Sequence, residues 1–307
     1  MTIEDEILQY LHHHPLSNRG EITLGITNPP SDRTIKRLLA DAITKGIIEV
    51  EGRGPATKYS LTPQSHITMP LDLATYFSKD IDERIIQETF NFRLIKELLP
   101  KVSLFTDEEK HILIATQQQF KNNVSGMSDL EYRKEMERLG VDLSWKSSQI
   151  EGNTYSLLET ERLLKEKQTA SGKTKEEAIM LLNHKEALDF ILDEPDYLKD
   201  ITIHRIEDIH SILTKDLDVN RNIRHRRVGI TGTNYRPLDN EFQIREALED
   251  TCNLINSKES IFEKALLALI LLSYIQAFTD GNKRTARITA NAILIANGYC
   301  PISFRTV

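Results

Sequence analysis

The chain has 307 residues, 28% of them charged and 39% hydrophobic, with a net charge of -7, enough length for about two domains with a buried core. No uncharged apolar run reaches the roughly 18 residues of a membrane-spanning helix, and the acidic start MTIEDEILQY is unlike a signal peptide. The negative balance excludes a global basic field for nucleic acid and leaves only local patches. Cys252 and Cys300, far apart in a long chain, argue against a disulfide scaffold and for a reducing, cytoplasmic setting.

In chain order, residues 1–65 read as a small α+β domain. Ile3, Ile7, Leu8 and Leu11 make a first helical stripe. A second, stronger one follows capping Ser31, with Ile35, Leu38, Leu39, Ala42 and Ile43 on one face and Gly46 as its stop. GIIEVEGRGPATKYSLT then predicts two short strands around a Gly-Pro turn, and the whole resembles a winged helix-turn-helix domain. Arg33, Thr34, Lys36 and Arg37 lie on the solvent face of the second helix, with Arg53 and Lys58 on the wing. These are types that meet phosphates and base edges. With seven basic against eight acidic side chains, however, the domain is equally consistent with a protein-contact module. HHH at 12–14 reads as a solvated helix end rather than a metal site, and His204 and His210 as surface or core histidines.

Residues 66–126 are an irregular, then helical connecting segment. Beyond it the period is helical near 128–151, 174–192, 203–214, 240–256, 261–276 and 281–297. The exception is RRVGITGTNYRPLD, 226–239, which predicts a short hairpin. ASGKTKEE imitates the end of a P-loop but lacks the upstream glycine and strand, and Thr174 with Glu177 reads as a capping box.

In LLALILLSYIQAFTDGNKRTARITANAILIANG an apolar helix ends near Gln276 and another begins near Asn282. Backbone N–H groups at such a helix start have no intrahelical partner, so a phosphate can dock around Asp280, Gly281, Asn282 and Lys283. Asp280 suits Mg2+ bridging phosphates, and Arg284 and Arg287 share a helical face that can clamp further oxygens. Upstream, Leu139, Leu143, Lys146 and Ile150 form a stripe. Gly152 ends that helix, leaving Glu151 at the negative end of its dipole, where an acid calls for a cationic partner.

The stretch from 276 resembles the signature of the Fic family, H-x-F-x-(D/E)-G-N-(G/K)-R-x-x-R, matched at Phe278, Asp280, Gly281, Asn282, Lys283, Arg284 and Arg287. The resemblance covers about 127–307. It implies a mainly α protein, a Fic helical core with a short β-hairpin flap, beside the small N-terminal domain. Most members of the family transfer AMP from ATP, with Mg2+, to a hydroxyl of a target protein; the related Doc toxins transfer phosphate. By the same resemblance Thr231, Tyr235 and Pro237 sit in the flap that clamps the target. Ser147, Glu151 and Gly152 match an inhibitory-helix motif whose glutamate pairs with the second arginine, here Arg287. The family's catalytic histidine falls at Gln276, whose amide holds a hydroxyl but accepts no proton near neutral pH. Lys283, where many AMP-transferring members have glycine, leaves AMP and phosphate transfer both open.

The expected partners are therefore ATP and a target protein, with DNA as the alternative use of the N-terminal domain. No membrane is expected, and a homo-oligomer is compatible. Three functions follow: a slow, autoinhibited AMP transferase; a nucleotide-responsive pseudoenzyme; or a scaffold for a DNA-binding module. A further helix is expected after NGYCPISFRTV, so the end there points to a truncated product.

Overall fold

A computed structural model describes residues 2–70, 72–84 and 86–305. It divides into two compact units, Met1–Ser78 with Glu97–Thr106, and Lys79–Lys96 with Asp107–Val307. The expected connecting segment is thus shared between them.

In the first unit α1 (Ile3–His13), α2 (Arg19–Leu24) and α3 (Asp32–Thr44) precede an antiparallel pair, β1 (Ile48–Glu51) and β2 (Lys58–Leu61). Short helices α4 (Pro63–Thr68) and α5 (Leu73–Ser78) follow. Ser31 caps α3 by accepting from Thr34 N at 3.3 Å, and Gly46, at φ 70°, turns the chain out of the helix. The two strands pair Ile48 with Leu61 and Glu51 with Lys58, around a single 3-10 turn at Gly54–Ala56. Ser17 extends the pairing by exchanging backbone bonds with Tyr59. Ile7, Leu11, Ile22, Ile35, Leu39 and Ile48 close the core. His12 stacks on His66 at 4.4 Å instead of ending α1 in solvent.

The second unit is helical: α6 (Asp107–Ser125), α7 (Asp129–Ile150), α8 (Leu157–Glu166), α9 (Lys175–Asp193), α10 (Ile203–Leu213), α11 (Glu241–Ser257), α12 (Ile261–Ile275) and α13 (Asn282–Ala296). Among the described residues no helix is long and apolar enough to cross a membrane. The predicted periods match α7 and α9–α13 to within a residue or two, whereas α8 has no counterpart among them. Helix α13 is the axis. It packs on α7, α9, α10 and α12, and from Asn282 to Leu294 only Lys283 is exposed.

The predicted hairpin at 226–239 is not formed. The Arg224 guanidinium takes the carbonyls of Arg226 and Leu238, at the two ends of the loop, and Pro237 has no N–H to give. Arg236 pairs instead in parallel with Thr89, its N–H donating to Glu88 O at 2.7 Å. The segment is a tethered loop whose strand partner lies far upstream in sequence.

Leu39 is 2% exposed within the first core. Leu39→Ala is expected to cost about 2–5 kcal/mol, read as faster hydrogen exchange of the β1 and β2 amides; unchanged exchange would contradict this packing.

Candidate nucleotide site

The turn between α12 and α13 is closed by Asn282, whose side chain accepts from Phe278 N and donates to Phe278 O, both at 2.8 Å. Phe278 is buried and stacks flat on His210, ring centroids 3.7 Å apart. His210 also meets Asp280 O through Nε2 at 3.0 Å. Burial pushes the His210 imidazole down to about 4, so it is a neutral core group, as its sequence position suggested. Gly281 caps α13 at φ 78° with no side-chain acceptor. A Cβ there would meet Thr214 Cγ2 at 3.2 Å and the His210 ring at 3.4 Å. Only glycine fits, and the first N–H groups of α13 open onto a cleft of about 180 Å³. Glu151, Val228–Thr231, Gln276 and Thr279–Lys283 line it.

The two signature arginines are held differently. Arg284 is 2% exposed and donates to Asp280 Oδ2 at 2.9 Å and to Leu213 O at 3.3 Å. Arg287, 6% exposed, donates through Nε to Ser147 Oγ at 2.9 Å. Its Nη2 donates to Ser147 O at 3.1 Å and to Glu151 Oε1 at 2.6 Å. Burial holds the Arg287 guanidinium below its usual value, and Glu151 opposes that shift. A buried ion stripped of its partner costs several kcal/mol, so the Glu151 contact is a strong local constraint.

Glu151 reaches this point because α7 ends where it does. Gly152, at φ 90°, donates to Gln149 O and Asn153 to Ser148 O, each at 3.0 Å, a Schellman close. Asn153 then donates to Glu177 O at 2.8 Å, and Thr154 N to Glu177 Oε1 at 2.7 Å. Hydrogen bonds from Thr154 and then Thr174 pull Glu177 down to about 2, and it completes the predicted capping box of α9 as well. The buried face of α7 runs through Gly140, Leu143, Ser144, Ser147 and Ser148. It departs from the expected Leu139–Ile150 stripe because small residues let the α7 backbone come close to Arg287.

Gln276 ends α12 in the left-handed region, φ 53° and ψ 56°. Its amide Nε2 donates to Ser273 O at 2.7 Å, leaving Oε1 as the group able to meet a hydroxyl. Its backbone carbonyl accepts from Arg224 Nε at 2.6 Å. Arg224, 2% exposed, went unnoticed in the sequence, where it is one cation in RNIRHRR; only its buried surroundings distinguish it. Of the expected flap residues, Thr231 lines the cleft. Tyr235 does not: its ring stacks on Tyr274 at 4.7 Å and its hydroxyl donates to Tyr274 O at 2.9 Å. Pro237 is likewise outside the lining.

Asp280 offers a hard carboxylate at the cleft mouth, 63% exposed. Among the described residues no group of three His, Cys, Asp or Glu side chains is placed to hold a metal. A single carboxylate fits Mg2+ that brings its own phosphate and water ligands, and does not fit a metal bound alone. In the N-terminal unit Arg33, Lys36 and Arg37 are exposed on α3 and Thr34 is half-buried. Lys36 pairs with Asp32 at 3.1 Å and Arg37 with Asp41 at 3.6 Å, which offsets part of that patch.

Against this geometry, residues 200–294 match the Fic/DOC family, so the chain carries a Fic/DOC domain. It is 33% identical over 175 residues to the protein adenylyltransferase Fic of Nematostella vectensis, covering 52% of this chain and 39% of that protein. It is 29% identical over 162 residues to protein adenylyltransferase fic-1 of Caenorhabditis elegans, covering 50% and 31%. The chain thus spans well under half the length of these relatives. Among solved structures, a Fic-domain-containing signaling protein from Bacteroides thetaiotaomicron superposes with a TM-score of 0.55 at 20% identity, over 62% of this chain and 75% of that one. A fragment of C. elegans Fic-1 gives 0.54 at 22%, over 64% and 60%. The shared feature is a Fic-type helical fold.

His184, on α9, is fully buried beside both arginines and meets Ser144 Oγ at 3.2 Å. Burial first, then Arg287 and Arg284, lower it to about 3. It is neutral when folded but takes a proton when unfolded below about pH 6.5, so its contribution is complete above that pH and lost as pH falls. Urea unfolding is expected to show about 2 kcal/mol of loss between pH 6.5 and 5 from this group. His184→Gln should flatten the profile by that amount; an unaltered slope would refute the assignment.

Proposed function

We propose that this chain is a Fic-type protein that binds Mg-ATP in the α12–α13 cleft and transfers AMP to a target-protein hydroxyl, restrained by Glu151 and slowed by Gln276. The observation that carries the reading is the 2.6 Å Arg287–Glu151 pair beside the open N-terminus of α13. An acid lining the cleft has been brought to Arg287, one of the two buried arginines that a phosphate there would need. In this reading Gly281, Asn282, Lys283 and Arg284 cradle phosphate oxygens, Arg287 exchanges Glu151 for phosphate, and Asp280 holds Mg2+. Mg2+ held by Asp280 would supply positive charge against the phosphates.

In the transfer, the target hydroxyl oxygen attacks the α-phosphorus, the bond to the β-phosphate oxygen breaks, and pyrophosphate leaves. The hydroxyl proton has no acceptor on Gln276. Gln276 Oε1 can orient that hydroxyl, while the proton passes to water or the leaving group. General-base assistance is commonly worth about 100- to 10,000-fold, roughly 3–5 kcal/mol, so the transfer is slow while binding is retained. Cytoplasmic location remains part of this proposal, in keeping with free Cys252 and Cys300.

A second reading gains support from the Gln276 amide, already engaged by Ser273 O. In it the core binds nucleotide without transferring it and reports occupancy to an N-terminal module of winged-helix type. That module would contact DNA through Arg33, Thr34, Lys36 and Arg37, with Arg53 and Lys58 beside them.

Glu151→Gly is expected to lower thermal stability, because Arg287 loses its counterion, and to show a larger Mg-ATP-induced rise in Tm than wild type; equal shifts would reject the lock. With labelled ATP, Glu151→Gly/Gln276→His should label protein at least about 100-fold faster than Glu151→Gly alone. Nucleotide binding with no label in either variant selects the second reading, which then predicts a salt-sensitive DNA shift lost in Arg33→Ala/Arg37→Ala.

A further inference from the structure

The outer edge of the flap is already in use. Besides the backbone bond from Arg236 to Glu88, the Arg236 guanidinium meets the Glu88 carboxylate at 3.1 Å. Asn234 Nδ2 donates to Asp82 Oδ1 at 2.8 Å, and Arg84 Nη1 donates to Gly232 O at 3.3 Å. The same upstream segment is anchored by rings: Phe90 stacks on Tyr274 at 4.7 Å, and Tyr274 on Tyr235 at 4.7 Å. Asn91 N donates to the Tyr274 hydroxyl at 2.9 Å. Both partners lie in the second unit.

Backbone pairing supplemented by alternate side-chain contacts is how an extended peptide adds to an exposed edge. The edge from Gly232 to Arg236 continues directly from Val228–Thr231, the wall of the cleft. Asp82, Arg84 and Glu88, which meet it, come from a sequence, KDIDERIIQE over 79–88, without one Ser, Thr or Tyr; the first hydroxyl is Thr89, beside Arg236. An incoming segment that used this edge to present a hydroxyl would meet the chain's own residues already in place, bridged at Thr89–Arg236.

We propose that the residues meeting this edge, Asp82, Arg84 and Glu88–Asn91, act as an intramolecular pseudosubstrate that is displaced by an extended, acidic target segment bearing a hydroxyl. The idea that the flap receives a target rests on the transferase reading above; the occupancy of the edge does not. Charge sets the class of partner. Arg236 and Asn234 now receive Glu88 and Asp82, so a displacing segment needs an acid opposite Arg236 and a hydrogen-bond acceptor opposite Asn234. Magnitude sets reversibility. The Arg236–Glu88 pair is 76% and 57% exposed, and such pairs contribute at most about 1 kcal/mol. The ring stack, the Asn91 bond and the backbone bond to Glu88 carry most of the contact, and the tether presents the segment at an effective concentration in the millimolar range.

The test uses the full chain and a fluorescein-labelled peptide of residues 79–92, followed by anisotropy without nucleotide. Asp82→Ala/Glu88→Arg is expected to bind the peptide about tenfold or more tightly than wild type, whose tethered copy competes. Amide exchange at Arg236 should be faster in the variant and slowed again by the peptide. Equal affinity for both proteins, no affinity for either, or unaltered exchange at Arg236 would overturn the proposal. If the double change unfolds the chain, Glu88→Ala supplies the same exchange readout. These measurements require neither ATP nor transfer, so a failure to label target protein would sink the transferase reading and leave the occupied edge standing.

Discussion

A helix enclosed on nearly every side is ordinarily apolar all round. Helix α13 is enclosed in that way, yet it carries Asn282, Arg284, Thr285, Arg287, Thr289 and Asn291 among its buried residues. Each buried guanidinium or amide without a partner would cost several kcal/mol, so the surrounding elements are arranged as its partners. Asn282 closes the preceding turn on Phe278. Asn291 donates to Ile302 O and accepts from Ile302 N, at 3.1 and 2.7 Å, and pins the chain's last described stretch. The guanidinium and amide groups of α13 are thus matched by neighbouring elements, whereas the Thr285 and Thr289 hydroxyls find no partner among the described residues.

The arginines make that requirement conditional. Arg284 and Arg287 each hold a carboxylate, Asp280 and Glu151, and both acids stand at the rim of one cleft. An anion that entered could replace a carboxylate without leaving a cation bare, so the net change in buried charge would be small. Neutral His184 and His210 contribute to the same economy. Both are depressed by burial, and neither adds a third positive charge beside the guanidinium groups. The Schellman close at Gly152 and the Glu177 clamp keep Glu151 from drifting away, which makes the contact a defined state of the molecule rather than one of many side-chain positions.

Much of this was legible in the sequence where the signals were local. The α12–α13 turn is written in adjacent residues, and Glu151 could be matched to Arg287 because a helix-end acid needs a cation and a known pattern named one. Thr174 with Glu177 was readable as a cap, though its hold on Thr154 was not, since that bond spans a loop. The flap shows the limit most clearly. Alternating Val228 and Ile230 beside glycines suggested strands, but pairing depends on which edge is nearest in space, and the nearest edge belongs to residues 88–89. Arg224 and His184 carry no pattern of their own; their significance comes from burial, which only the assembled helices create.

Arg224 also bears on how separable the parts of this fold are. One guanidinium touches the carbonyls of Gln276, Arg226 and Leu238, and so joins the end of α12 to both feet of the flap. Three backbone groups from distant stretches share a single rigid, planar donor. A displacement of the flap's feet therefore carries over to the left-handed turn at 276, and the reverse holds as well. The loop at 226–239 and the turn at 276 would then not vary as independent modules. A loop grafted from another protein brings a compatible turn with it only if its own feet accept the same fork, so this scaffold has most freedom to vary at the loop's outer residues, beyond the reach of Arg224.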